Sequence, residues 1–333
     1  MIGARHLVLV LVTLLPALEQ SVTPAVQTIT TPQTPPSTIA VGRGPEAVVF
    51  DGRFLWVASQ FSNTVTKVDP SDSRVVSSLL VGETPVALAY DGSKIWVANL
   101  RGNTVMALRP DDGAVLGTYP VGEGPGGLAF DGEHLWVANR EADTVTKLLA
   151  SDGSVRGTFP VGDRPMALVA EGGHIWVTNN QDNTVTKLRA TDGATIGTYA
   201  VGDGPFGIAS DGSSLWVANY FDNTVIRLRA TTGGRLGTLE VGDSPATVVC
   251  DRDLIVVANN GGDTITVLRR RDTMDRDGAQ QHPATILAHL QAAAAPFGLA
   301  ITRAGGVKIW VASFGSDTLL GIRPPEGLFR QGD

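Results

Sequence analysis

Residues 201–240 read VGDGPFGIASDGSSLWVANYFDNTVIRLRATTGGRLGTLE, and most of the chain is built from copies of this stretch. Its tryptophan, Trp216, follows Trp56, Trp96, Trp136 and Trp176 at a constant step of 40 residues. Its proline belongs to a matching series, Pro45, Pro85, Pro125, Pro165, Pro205 and Pro245. A unit this short cannot bury its own hydrophobic face, so a fixed period specifies stacked repeats rather than separate domains.

Inside the unit, four short apolar segments, Phe206 to Ser210, Leu215 to Ala218, Thr224 to Leu228 and Gly237 to Val241, alternate with turn residues. Asp51-Gly52, Asp91-Gly92, Asp131-Gly132 and Asp211-Gly212 separate the first two segments. Asp112-Gly113, Asp152-Gly153 and Asp192-Gly193 separate the third from the fourth. Glycine supplies positive φ at little cost and aspartate caps its own turn, so these pairs mark hairpins. Four antiparallel strands per unit, repeated radially, make the blade of a β-propeller.

The first segment carries Ala47, Ala87, Gly127, Ala167, Gly207, Thr247 and Gly298 two residues after the proline. Small side chains are needed where blades converge on the axis, which makes this the innermost strand. The fourth segment contains Pro120 and Pro160, which donate no backbone hydrogen bond and belong on an outer edge. In the sixth unit Val256 replaces tryptophan; the seventh restores the pattern with Pro296 and Trp310. Extra residues at about 270–282, RRDTMDRDGAQQH, read as a surface loop. The seventh unit has no outer strand after Ile322, whereas Ser37-Thr38-Ile39-Ala40-Val41 matches the outer-strand pattern and has no unit before it. The expectation is an all-β, seven-bladed β-propeller of four-stranded antiparallel blades over 37–323, its ring closed by an N-terminal strand that completes the last blade.

Residues 1–25 carry Arg5 and an apolar run from Leu7 to Leu15 that Pro16 ends, too short for a permanent span and suited to a signal peptide. Residues 26–36 form a Thr/Pro-rich linker, and 324–333 a C-terminal tail. The expected location is therefore extracytoplasmic, periplasmic or secreted, with no permanent membrane span. A hydrophobic content of 43%, only 18% charged residues and 39 glycines suit a large core crossed by tight turns. The net charge of −7 and the absence of a basic cluster argue against a nucleic-acid partner. The single cysteine, Cys250, excludes an intramolecular disulfide and reads as a buried strand residue.

The repeats, of which VGEGPGGLAFDGEHLWVANREADTVTKLLA is one, resemble the YVTN or YncE-like group of propeller repeats, related to NHL repeats. That resemblance implies the fold and leaves the role open, because such propellers host binding, scaffolding and catalysis alike. More distantly the chain is similar to streptogramin B (virginiamycin B) lyases, which resemblance would imply Mg²⁺-assisted lactone opening with a histidine base. Where those enzymes typically read Trp-Phe-Thr-Glu, this chain reads Trp-Val-Ala-Asn.

In propellers the turn entering each inner strand and the turn between the second and third strands open on one face. The first turn brings Glu83, Glu123, Asp163, Asp203 and Asp243. These carboxylates either form an oxygen-rich ring suited to Ca²⁺ or Mg²⁺, or bond backbone N–H groups in their own turns and face water. The second turn contributes Phe61, Arg101, Arg140, Glu141, Tyr220, Phe221 and Phe314, which vary between blades and are the candidates for binding a protein or small-molecule ligand. The tryptophans read as core, and Asn99, Asn139, Asn179, Asn219 and Asn259 as turn formers. His134 and His174 fall on the face opposite the acidic mouth, and His282 and His289 flank the insertion. Gly202 to Gly207 spells GxGxxG, but an inner strand rather than a helix follows it. Neither GxSxG nor HExxH occurs. The reading is a non-enzymatic binding or scaffold module acting through its variable loop face; the alternatives are a lyase-like Mg²⁺-dependent enzyme and a structural envelope or surface-layer module.

Overall fold

A computed structural model of the chain describes residues 37–270, 284–325 and 328. The expected signal peptide and linker, most of the expected insertion with His282, and much of the expected tail lie outside the described residues. The rest forms seven four-stranded antiparallel sheets. Blades 1 to 5 span 45–80, 85–120, 125–160, 165–200 and 205–240, blade 6 is formed by 245–270 and 284–291, and blade 7 combines 296–322 with Ser37–Ala40. The N-terminal strand pairs antiparallel with the last one, Ser37 opposite Gly321 and Ala40 opposite Thr318, so the ring closes as the repeat pattern requires.

In the reference unit the strands are Pro205–Ser210, Ser214–Asn219, Thr224–Arg229 and Arg235–Glu240. The fourth begins two residues earlier than its apolar content suggests, because pairing already starts with Arg235 opposite Leu228 after a tight turn at Gly233. Val241 lies past the strand, its N–H donating to the Asn223 carbonyl. Arg270, placed in the insertion by composition, instead ends the strand Thr264–Arg270 and pairs with Asp211 at 3.3 Å. Outer strands such as Val115–Pro120 alternate exposed and half-buried residues, as edges do.

Between blades the core is built from the second strands. All six tryptophans are fully buried. Truncating one to alanine costs about 3–5 kcal/mol. Asp51, Asp91, Asp131 and Asp211 each cap their hairpin and also accept the indole N–H of the tryptophan five residues on, at 2.7–2.8 Å. Lysines lie over these rings and reach the next blade: Lys67 bonds the carbonyls of Pro110 and Asp111, and Lys147 those of Ala190 and Thr191. Blade 2 has Ala107 at this strand position, and Lys94 from the adjacent hairpin takes over, bonding Ala150 and Ser151. Near the axis the requirement for small residues is steric. A Cβ on Gly127 would stand 2.6 Å from the Met166 carbonyl oxygen of the next blade, and one on Gly207 2.7 Å from that of Ala246.

A second tie recurs seven times. Asn63, Asn103, Asp143, Asn183, Asn223, Asp263 and Asp317 adopt φ between 51° and 57°, which asparagine and aspartate tolerate better than other side chains. Each accepts a backbone N–H from the turn entering the following blade, at 2.8–3.0 Å. The last of these, Gly44 to Asp317, joins blade 7 to blade 1.

Candidate functional site

The turn entering each inner strand and the turn between the second and third strands are stitched on one face by repeated backbone bonds. Examples are Gln60 to Gly44, Arg140 to Gly124, Tyr220 to Gly204 and Phe314 to Ala295. These turns surround the mouth of the central channel. Every inner strand departs from regular register just after its proline, between Pro45 and Ala47 in blade 1 and at the equivalent place in the other six. A bulge re-aims the side chain it carries. The residues at that position, Glu46, Val86, Gly126, Met166, Phe206, Ala246 and Phe297, all line a channel cavity of about 280 Å³.

The structure divides the seven loop-face candidates into four groups. Tyr220 and Phe221 form a file with two channel residues: ring centroids lie 5.2 Å apart for Phe221–Tyr220, 5.9 Å for Tyr220–Phe206 and 5.5 Å for Phe206–Phe297. Phe61 and Phe314 meet edge to face at 5.4 Å across blades 1 and 7. Phe61 and Phe221 are 59% and 65% exposed, so each aromatic group runs out to the solvent edge. Arg140 turns inward and lines the cavity, its guanidinium 3.1–3.5 Å from where a Cβ on Gly126 would lie. Arg101 and Glu141 stay exposed on the rim.

Glu46, Arg140 and Thr247 are the polar side chains of an otherwise apolar lining. Burial pushes the Glu46 carboxyl up to about 7, with the positive charge of Arg140 acting in the opposite direction. Burial lowers the Arg140 guanidinium, against the pull of Glu46, and Arg164 lowers it further. The two do not form a direct ion pair among the described residues, and the Nε–H of Arg140 is buried without a hydrogen-bond partner. Leaving a buried donor unpartnered is costly.

Sequence reading passed over Glu46, Phe206 and Phe297. Their signal is variation at the position directly after the repeated proline, between that proline and the small residue that follows. Glu83, Glu123, Asp163, Asp203 and Asp243 are all exposed, and among the described residues no three His, Cys, Asp or Glu side chains come together as a metal-holding group. The buried asparagines do more than form turns: Asn139, Asn179 and Asn259 each donate to two threonines of the adjacent strand.

On the opposite face, His134 and His174 border a second cavity between blades 3 and 4. His134 Nδ1 lies 3.6 Å from Asp131 and 3.7 Å from Glu133, while His174 Nδ1 is 2.8 Å from the Gly172 carbonyl. His289 sits in the outer strand of blade 6 against Thr266 at 3.0 Å, and burial lowers its pKa. Cys250 packs against the apolar cluster around Trp216, and burial and then the Asp211 charge push its thiol well above the usual range. Pro205–Ser210 is a strand, so Gly202 to Gly207 opens no helix.

The family model PQQ_2, described as outer membrane protein assembly factor BamB, matches residues 101–272, just over half of the chain. The chain belongs to this family. Comparison of this PQQ_2 member with curated proteins gives no significant match. Among solved structures, a streptogramin B lyase aligns at 19% identity with a TM-score of 0.70, covering 86% of this chain and 97% of the other. Hydrazine synthase from Kuenenia stuttgartiensis aligns at 16% identity with a TM-score of 0.73, covering 86% and 97%. A chain of the mitotic checkpoint complex aligns at 15% identity with a TM-score of 0.75, covering 88% and 96%. Identities this low carry the fold and no more.

Proposed function

We propose that this propeller is an extracytoplasmic binding module that takes its ligand or partner at the mouth on the variable loop face. The observation that carries this reading is the contrast within one repeat. Strands, tryptophans and inter-blade ties are nearly uniform, while the position after the repeated proline varies from blade to blade and in all seven blades lines one channel cavity. Exposed aromatics that continue into a concave apolar site with few polar groups are what binding surfaces use. The extracytoplasmic setting is supported by the BamB description of the family and by the apolar run at Leu7 to Leu15. Within the propellers, the YVTN or YncE-like repeat pattern is the finer assignment we favour. The test is retention of a stoichiometric partner from an envelope extract by the full chain, with the Tyr220→Ala, Phe221→Ala, Phe314→Ala variant alongside. Loss of the partner in the folded variant supports the reading; undiminished retention refutes it.

Glu46 favours one second reading. A carboxylate whose pKa is about 7 beside an arginine can accept a proton, so a lactone-opening enzyme would use Glu46 where the lyases use histidine. Ring opening of a lactone by purified protein, lost in EDTA and in Glu46→Gln, would carry that reading, and full activity in Glu46→Gln would end it.

A further inference from the structure

We propose that the channel mouth binds a monoanionic organic acid, its carboxylate held by Arg140 and its aromatic or apolar body laid against Phe206 and Phe297. This deepens the binding-module reading and rests on it. Arg140 supplies a planar fork of donors, the geometry that matches a carboxylate. The Arg140 side chain has no protein acceptor among the described residues: its Nε–H is buried against Gly126, and the guanidinium lines the cavity. Glu46 lines the same cavity, forms no direct ion pair with the arginine, and when protonated offers a second donor to the ligand oxygen. Phe206 and Phe297 stand edge to face at 5.5 Å, leaving ring faces and edges for a flat apolar group.

Size and charge narrow the class further. The cavity of about 280 Å³ sits near the small end of ligand sites, room for one or two rings rather than a nucleotide. One arginine in an apolar lining balances one negative charge. A phosphate dianion would leave a charge unpaired in a low-dielectric channel, and the exposed carboxylates of Glu83, Glu123, Asp163, Asp203 and Asp243 around the mouth repel polyanions. The charged groups that act on Arg140 are Glu46, Arg164 and Glu141. Ionisation of Glu46 places a competing carboxylate beside the ligand, so acid binding weakens as pH rises through neutrality.

The test is calorimetric titration of the full chain with 3-phenylpropanoate and with its neutral amide. The expected result is that the amide binds ~10–100-fold more weakly, as for loss of a charged hydrogen-bonded pair. Arg140→Met should erase the difference between the two probes while the circular dichroism spectrum stays unchanged. Phe206→Ala should weaken both. Weakening of acid binding between pH 6 and 8 should disappear in Glu46→Gln. Equal affinity for acid and amide, or an acid affinity untouched by Arg140→Met, overturns the proposal. Absence of binding by either probe while a partner is still retained through Tyr220, Phe221 and Phe314 overturns this inference and leaves the binding-module reading standing.

Discussion

Replacing Glu46 with glutamine should raise the stability of the fold at pH 8 and leave it nearly unchanged at pH 4. Burial moves this carboxyl from its ordinary value of 4.5 to about 7. Between those values the folded chain holds a proton that the unfolded chain has released. Stability therefore falls as pH rises through that window and is flat above it. The full displacement corresponds to ~3 kcal/mol. Glu46 is half-buried, so screening reduces the full penalty and about 1–3 kcal/mol is expected. The assay is urea unfolding of both proteins at pH 4, 6 and 8. Subtracting wild type from Glu46→Gln at each pH cancels every other titrating group. A difference that grows from near zero at pH 4 to about 1–3 kcal/mol at pH 8 bears out the buried carboxyl. The same difference at all three values would refute it, since an effect independent of pH belongs to side-chain shape rather than charge.

Three further changes probe the ties between blades. Glu171 occupies the hairpin position of the tryptophan-bonding aspartates but bonds Ser210 instead, leaving the Trp176 indole N–H buried and unpartnered; Glu171→Asp should stabilise the fold by ~1 kcal/mol, read as a higher urea midpoint. Lys94→Met should cost ~1–2 kcal/mol, and adding Ala107→Lys should restore it, because that is the position from which Lys67 and Lys147 make the equivalent tie. Asn183→Gly keeps the positive φ available but removes the acceptor for the Gly204 N–H, so a loss of ~1 kcal/mol in chemical denaturation is expected.

The fold was legible because the 40-residue step of tryptophan and proline leaves one architecture, and the unpaired segment at Ser37 has one place to go. Composition located the inner strand correctly for a steric reason that the structure makes explicit at Gly127 and Gly207. The candidate site was legible only at its rim. Phe61, Tyr220, Phe221 and Phe314 lie in turns, where variation stands out against the repeat. Glu46, Phe206 and Phe297 lie within strands, where simple alternation assigns sides; the bulge after each proline breaks that alternation and turns them into the channel. The inter-blade asparagines and aspartates escaped for a related reason: seven residues beyond each tryptophan, or beyond Val256 in blade 6, they look like ordinary turn formers, and only the closed ring shows that each bonds the next blade.

The most direct test of the mouth as the binding site is hydrogen exchange of the full chain with and without the partner retained from an envelope extract. Protection should concentrate in the turns at residues 60–62, 220–222 and 313–316, on the face where Phe61, Tyr220, Phe221 and Phe314 stand. Protection confined to the turns at 132–134 and 172–174 on the opposite face, or to the outer strands, would contradict the account.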